Sequence, residues 1–111
     1  MDNRTDYYLL LADIQGSSVL SARQAESLMT HLLPALEREN LHHSVEISYP
    51  LEVNYGDEFA GLFTTPGPLY QIVSNLRHAL KGIARFRFVV VHGRIGYAGG
   101  SIREMGGPVF E

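Results

Sequence analysis

Ile47-Ser48-Tyr49-Pro50-Leu51-Glu52-Val53-Asn54-Tyr55-Gly56-Asp57-Glu58-Phe59-Ala60-Gly61-Leu62-Phe63-Thr64 is the stretch on which the fold turns. Ile47 to Tyr55 reads as a strand, and Pro50, which has no N–H to give to a ladder, confines it to a sheet edge or marks a late start. Gly56-Asp57-Glu58 supplies turn chemistry, and Phe59 to Thr64 reads as the returning strand. The stretch is therefore a β-hairpin in the middle of the chain, and its flanks decide what kind of sheet it joins.

Upstream, Ala25, Leu28, Met29, Leu32, Leu33 and Leu36 recur at steps of three and four, which makes one apolar helical stripe. Ser21 with Gln24 three residues later is a capping box that starts this helix. Pro34 is expected to kink its last turns, leaving Leu41 to Ser44 as connection. Before the helix, Tyr7 to Ile14 is an apolar run without alternation, as in a central strand buried on both faces. Residues 1–6 are polar and aperiodic and read as a loose leader.

Downstream, Thr65-Pro66-Gly67-Pro68 punctuates the chain. Leu69, Ile72, Val73, Leu76 and Leu80 then mark a second amphipathic helix that stops at Gly82. Phe86, Phe88 and Val90 alternate with Arg85, Arg87 and Val89 in a fourth strand running to about His92. From Gly93 onward six glycines fall within fifteen residues, a glycine-rich C-terminal extension that reads as a long loop or a wide hairpin. The order is βαββαβ. Right-handed crossovers turn it into an α+β, ferredoxin-like domain, a four-stranded antiparallel sheet with both helices on one face.

The 111 residues are enough for one domain, read here as residues 1–111, with a core that needs no staple. Absence of cysteine removes disulfides, thiol nucleophiles and zinc-thiolate sites, and agrees with a cytoplasmic location. The run Tyr7 to Ala12 is far shorter than the roughly 20 residues that span a bilayer, so no membrane partner is expected. Residues 1–66 hold three arginines against ten carboxylates, and residues 67–111 hold five arginines and one lysine against two glutamates. The halves are thus −7 and +4, and the net charge of −3 argues against duplex nucleic acid as a partner.

In the βαββαβ sheet the first two strands are parallel with the third between them. The end of the first strand and the hairpin turn then share one sheet edge, which sets Asp13 beside Asp57. Two carboxylates so placed repel unless a cation or proton intervenes. Magnesium accepts one or two protein carboxylates and keeps positions for phosphate oxygens. Gly16, Ser17 and Ser18 follow at a turn into a helix, where backbone N–H groups can meet phosphate. The bland alternative is that Asp13 caps a turn and Gly56-Asp57 is ordinary hairpin chemistry. Glu58 is a candidate accessory ligand or base, although the strand period turns it away from Asp57. Arg94 and Arg103 are candidate phosphate contacts from the glycine-rich extension. The five histidines show no metal-binding helical spacing; His42-His43 reads as a solvated loop and His92 as a strand end.

Ala12-Asp13-Ile14-Gln15-Gly16-Ser17-Ser18, Asn54-Tyr55-Gly56-Asp57-Glu58-Phe59-Ala60-Gly61-Leu62-Phe63 and His92-Gly93-Arg94-Ile95-Gly96 together resemble the nucleotidyl cyclase superfold. Gly106-Gly107-Pro108-Val109-Phe110 is similar to the segment that opens the last helix in the SatD family of small bacterial proteins. The resemblance is to that family first, and more distantly to class III purine nucleotide cyclases and diguanylate cyclases. It implies magnesium or manganese held by Asp13, Asp57 and the backbone carbonyl of Ile14, with a nucleoside triphosphate as ligand. It also leaves room for a homodimer.

The departures matter as much. Val53 stands where purine cyclases carry a base-reading Lys or Glu, and Tyr55 stands where diguanylate cyclases carry the first of two glycines. Glu111 falls where an Asn orients the ribose, and the transition-state arginine would lie beyond it, which suggests a chain cut short. The expectation is a metal-binding regulatory domain without cyclase activity. The alternatives are an interaction module with no ligand, and an active cyclase or nucleotidyltransferase completed by a longer chain or a partner.

Overall fold

The central hairpin forms one side of a four-stranded sheet. In a computed structural model, which describes residues 6–16, 19–54 and 58–94 (for Arg94 the backbone only), the elements follow the expected order. They are β1 (Asp6–Ile14), α1 (Ala22–His42), β2 (Ile47–Asn54), β3 (Glu58–Phe63), α2 (Leu69–Ala79) and β4 (Phe86–Arg94). The strands lie in the order β2-β3-β1-β4, with every pairing antiparallel. β2 is an edge strand, as Pro50 requires, and β1 is central. Among the described residues no helix is long and apolar enough to cross a membrane.

One face of the sheet carries the main core. Leu10, Ala12 and Ile14 of β1, Phe59 and Phe63 of β3, and Phe86 of β4 pack with Leu28, Leu32 and Leu36 of α1 and Ile72 and Leu76 of α2. Both helices therefore cover the same face. On the other, Leu9, Ala60 and Leu62 form a smaller cluster with Tyr7, Leu11, Tyr49 and Val91, all strand residues. Burial on both sides explains why β1 shows no alternation.

Helix α1 starts as expected. The Ser21 hydroxyl accepts from the Gln24 N–H at 3.1 Å, and the Ser21 N–H donates to the Gln24 side chain at 2.9 Å. Its end differs from expectation. The helix continues past Pro34 to His42, so Leu41 and His42 are helical and not connection. Proline in a helix interior costs about 3 kcal/mol, and burial of Ala35, Leu36 and Glu39 beyond it offsets that loss. The extra turns also bring Asn40 to the edge strand. Its side-chain oxygen accepts from the Leu51 N–H at 2.7 Å, and its amide donates to the Leu51 carbonyl at 3.0 Å. These bonds serve backbone groups of the edge strand next to Pro50, where the β2–β3 register is irregular.

Gly61, opposite Leu10 on β3, faces Leu51 so closely that an added Cβ would lie 2.7 Å from a Leu51 methyl and 3.3 Å from its Cα. Gly61→Ala is therefore expected to lower the unfolding free energy by about 1–3 kcal/mol through overpacking, measurable by urea denaturation. A variant as stable as wild type would show that β2 and β3 are not in this close approach.

Other boundaries move as well: Asp6 is the first residue of β1 and not part of a leader. Glu58 is the first residue of β3 and not a turn residue, while Gly93 and Arg94 belong to β4 and not to the glycine-rich extension. The extension itself, 95–111, lies outside the described residues.

Candidate functional site at the sheet end

Register builds the site. Asp13 is paired with Glu58 on one side and Arg87 on the other, and Glu58 is paired with Asn54. Residues directly opposite in an antiparallel ladder project to the same face. Asn54, Glu58, Asp13 and Arg87 thus form one polar row across all four strands. In the next row inward, Ala60 and Leu11 begin the apolar cluster of the helix-free face, flanked by Glu52 and Val89.

Asp13 is half-exposed and accepts a hydrogen bond from the Arg87 guanidinium at 3.2 Å. Both side chains reach water, so the pair is worth only about 0–1 kcal/mol. Arg87 is the arginine that sequence reading missed. Reading β4 by alternation alone gave its face and not its partner; the partner follows only from the β1–β4 register.

Ile14 has its side chain buried in the core, which leaves only its backbone for any ligand. Gly16 is exposed in the turn after β1 with φ +72°, a conformation that suits glycine. Asp57, Ser17, Ser18 and Arg103 lie outside the described residues. Glu58 follows Asp57 in the chain and is brought directly opposite Asp13. Arg94 is not brought there. Its backbone pairs with Asp6, at the far end of β1, seven residues from Asp13. At about 3.3 Å per residue that is on the order of 23 Å of strand between the two backbone positions.

Among the described residues no group of three His, Cys, Asp or Glu side chains is placed to hold a metal ion. The donors that the sequence nominates, carboxylates and a backbone carbonyl, are hard oxygens that suit magnesium or manganese. An exposed guanidinium is a partner that such an ion can displace. The donor chemistry fits the ion.

Away from this row, His43 corrects an expectation. It is buried beside Glu39, with 3.7 Å between its Nε2 and the Glu39 carboxylate, and is not in a solvated loop. Asn75 of α2 donates to Glu39 at 3.2 Å, so this polar group ties the two helices together. His92 lies within β4, stacked on Tyr8 with ring centroids 4.4 Å apart, and its Nε2 is 3.4 Å from the Asp6 carboxylate. Val53, which the resemblance sets where purine cyclases carry a base-reading residue, packs half-buried against the core.

No family model matches the sequence, and no curated protein matches it significantly. Among solved structures, the chain is similar to the guanylate cyclase domain of RhGC from Catenaria anguillulae in complex with GTP. The TM-score is 0.69 at 14% identity, over 98% of this chain and 70% of that one. It is also similar to the catalytic core of a rhodopsin-guanylyl cyclase with converted specificity in complex with ATPαS, with TM-score 0.69, 13% identity, and 96% and 67% of the two chains covered. A third is the non-canonical dimeric guanylyl cyclase domain of the RhoGC fusion protein from Blastocladiella emersonii, with TM-score 0.64 and 14% identity. There the match covers 86% of this chain but only 62% of the length of the cyclase domain. The chain has a nucleotide-cyclase-like fold.

Proposed function

We propose that the chain is a single, cytoplasmic, SatD-like domain that binds magnesium or manganese through Asp13, Asp57 and the Ile14 carbonyl. In this reading it takes a nucleoside triphosphate over Gly16, Ser17 and Ser18 in a regulatory role. The observation that carries the reading is the register of Asp13 with Glu58, the residue next to Asp57. Two of the similar solved domains hold GTP and ATPαS, which supports a triphosphate as the ligand class. When bound, the ion would neutralise charge on the two carboxylates and on phosphate oxygens. Val53, apolar and packed on the core, has no group to hydrogen-bond a purine edge, which supports binding without efficient cyclisation.

Calorimetry with manganese and with GTP or ATP tests the proposal. The ion alone should bind, and nucleotide should bind more tightly with manganese than in EDTA. No ion binding, or nucleotide affinity indifferent to manganese, would contradict it.

Arg87 makes a second, finer expectation. It holds the Asp13 carboxylate that the ion would use. A unit charge and a divalent ion some 6 Å apart in water repel by about 1.4 kcal/mol, so Arg87→Gln should tighten manganese binding about tenfold. Titration followed by electron paramagnetic resonance measures this. An unchanged affinity would mean that the ion does not compete with Arg87 for Asp13.

The Asp13–Arg87 pair also favours a second reading, an interaction module without ligand, because the carboxylate already has a cationic partner. The two readings part on manganese binding.

A further inference from the structure

Between Glu58 and Glu104 the chain has six cations and no carboxylate. One of them, Arg87, is matched by Asp13. Arg77, Lys81 and Arg85 instead line a single open cleft of about 890 Å³ where the turn after β1 meets the end of α2 and the start of β4. Gln15 and Gly16 form one wall, and among the described residues no carboxylate lines the cleft. Among the described residues none of the three cations has a carboxylate partner; Arg77 instead lies over the Phe88 ring, 5.2 Å from its centroid.

Basic residues at the end of a helix often do no more than complement the helix dipole. That dipole amounts to about half an elementary negative charge, which cannot neutralise three cations, and Arg85 lies beyond the helix. The surplus is therefore positive, and a cleft with apolar walls such as Phe86 focuses it. Guanidinium forks and an ammonium group match phosphate oxygens. The volume falls within the range of small-molecule sites, about 300–1,000 Å³.

We propose that this cleft is a metal-independent site for a small ligand bearing two or more linked phosphates, either an inorganic oligophosphate or the phosphate tail of a nucleotide. Asp13 does not line the cleft and projects from the helix-free face, so the inference does not rest on the metal reading. Titration calorimetry of the full chain with sodium triphosphate in EDTA, at low ionic strength, tests it. Wild type should bind. The Arg77→Gln, Lys81→Gln, Arg85→Gln variant should lose about tenfold or more in affinity, while Asp13→Ala with Asp57→Ala should bind within about twofold of wild type. Because Arg77 also packs on Phe88, the pair Lys81→Gln with Arg85→Gln is measured as well and should lose affinity with an unchanged melting temperature. Removing two cations elsewhere, Arg23→Gln with Arg38→Gln, should leave affinity nearly unchanged. Tighter binding of GTP than of triphosphate would assign the ligand to nucleotides, and equal binding to the phosphates alone. No binding by wild type, or equal loss from the Arg23 and Arg38 substitutions, would overturn the proposal.

Discussion

Phe59→Ala is expected to lower the unfolding free energy by about 3–5 kcal/mol, the range for removing a fully buried aromatic side chain. Phe59 is completely buried on β3, with its ring edge-on to Phe86 at 5.3 Å and to Phe88 at 6.1 Å, so it joins the hairpin to the opposite edge strand across β1. Domains of this size have about 5–15 kcal/mol in total, so the loss is a large share. At about 4–8 °C per kcal/mol the melting temperature should fall by roughly 12 °C or more. Tyr70→Ala is the control, since Tyr70 is 86% exposed and its removal should stay within about 0.5 kcal/mol. Equal effects of the two substitutions, by urea denaturation, would show that Phe59 does not sit at the centre of the core.

The second large effect concerns the candidate ion site. Asp13→Ala with Asp57→Ala is expected to weaken manganese binding on the order of 100-fold or more. Groups that merely orient metal ligands already cost 10–100-fold when removed, and the proposed ligands themselves should cost at least the upper end. The manganese-dependent part of nucleotide affinity should vanish with it. Loss of the exposed Asp13–Arg87 pair costs only about 0–1 kcal/mol of stability, so a folded variant without ion binding is the expected product. Manganese affinity retained in that variant, by paramagnetic resonance titration, would assign the ion elsewhere.

The topology was legible because each element carried its own period: three and four for the helices, two for β4, a continuous apolar run for β1 and a turn signal in the hairpin. What failed was set by partners distant in sequence. Pro34 signals the end of a helix locally, but the chain continues because residues beyond it are buried and Asn40 bonds to Leu51 across the β2 edge. Gly93 signals a loop locally, yet β4 runs on because Tyr7 and Asp6 give Gly93 and Arg94 something to pair with. The same misplaced boundary put Arg94 in a glycine-rich loop, whereas Arg87, already read within β4, was missed because only the β1–β4 register sets it beside Asp13. His43 was misread for a related reason. It is buried beside Glu39, which Asn75 of the other helix holds, and local polarity does not show that packing. Asp13 was found because a carboxylate ending an apolar strand is visible in the sequence, and its pairing with Glu58 follows once the hairpin is placed beside β1.

Proton–nitrogen correlation spectra of the folded chain, recorded while manganese is added in substoichiometric amounts, probe the shared ion site most directly. Paramagnetic broadening should appear together at residues 13–16 and 54–58, two stretches joined through the Asp13–Glu58 register, and should disappear from both in Asp13→Ala. Broadening confined to one stretch, or centred elsewhere and indifferent to Asp13→Ala, would contradict the account.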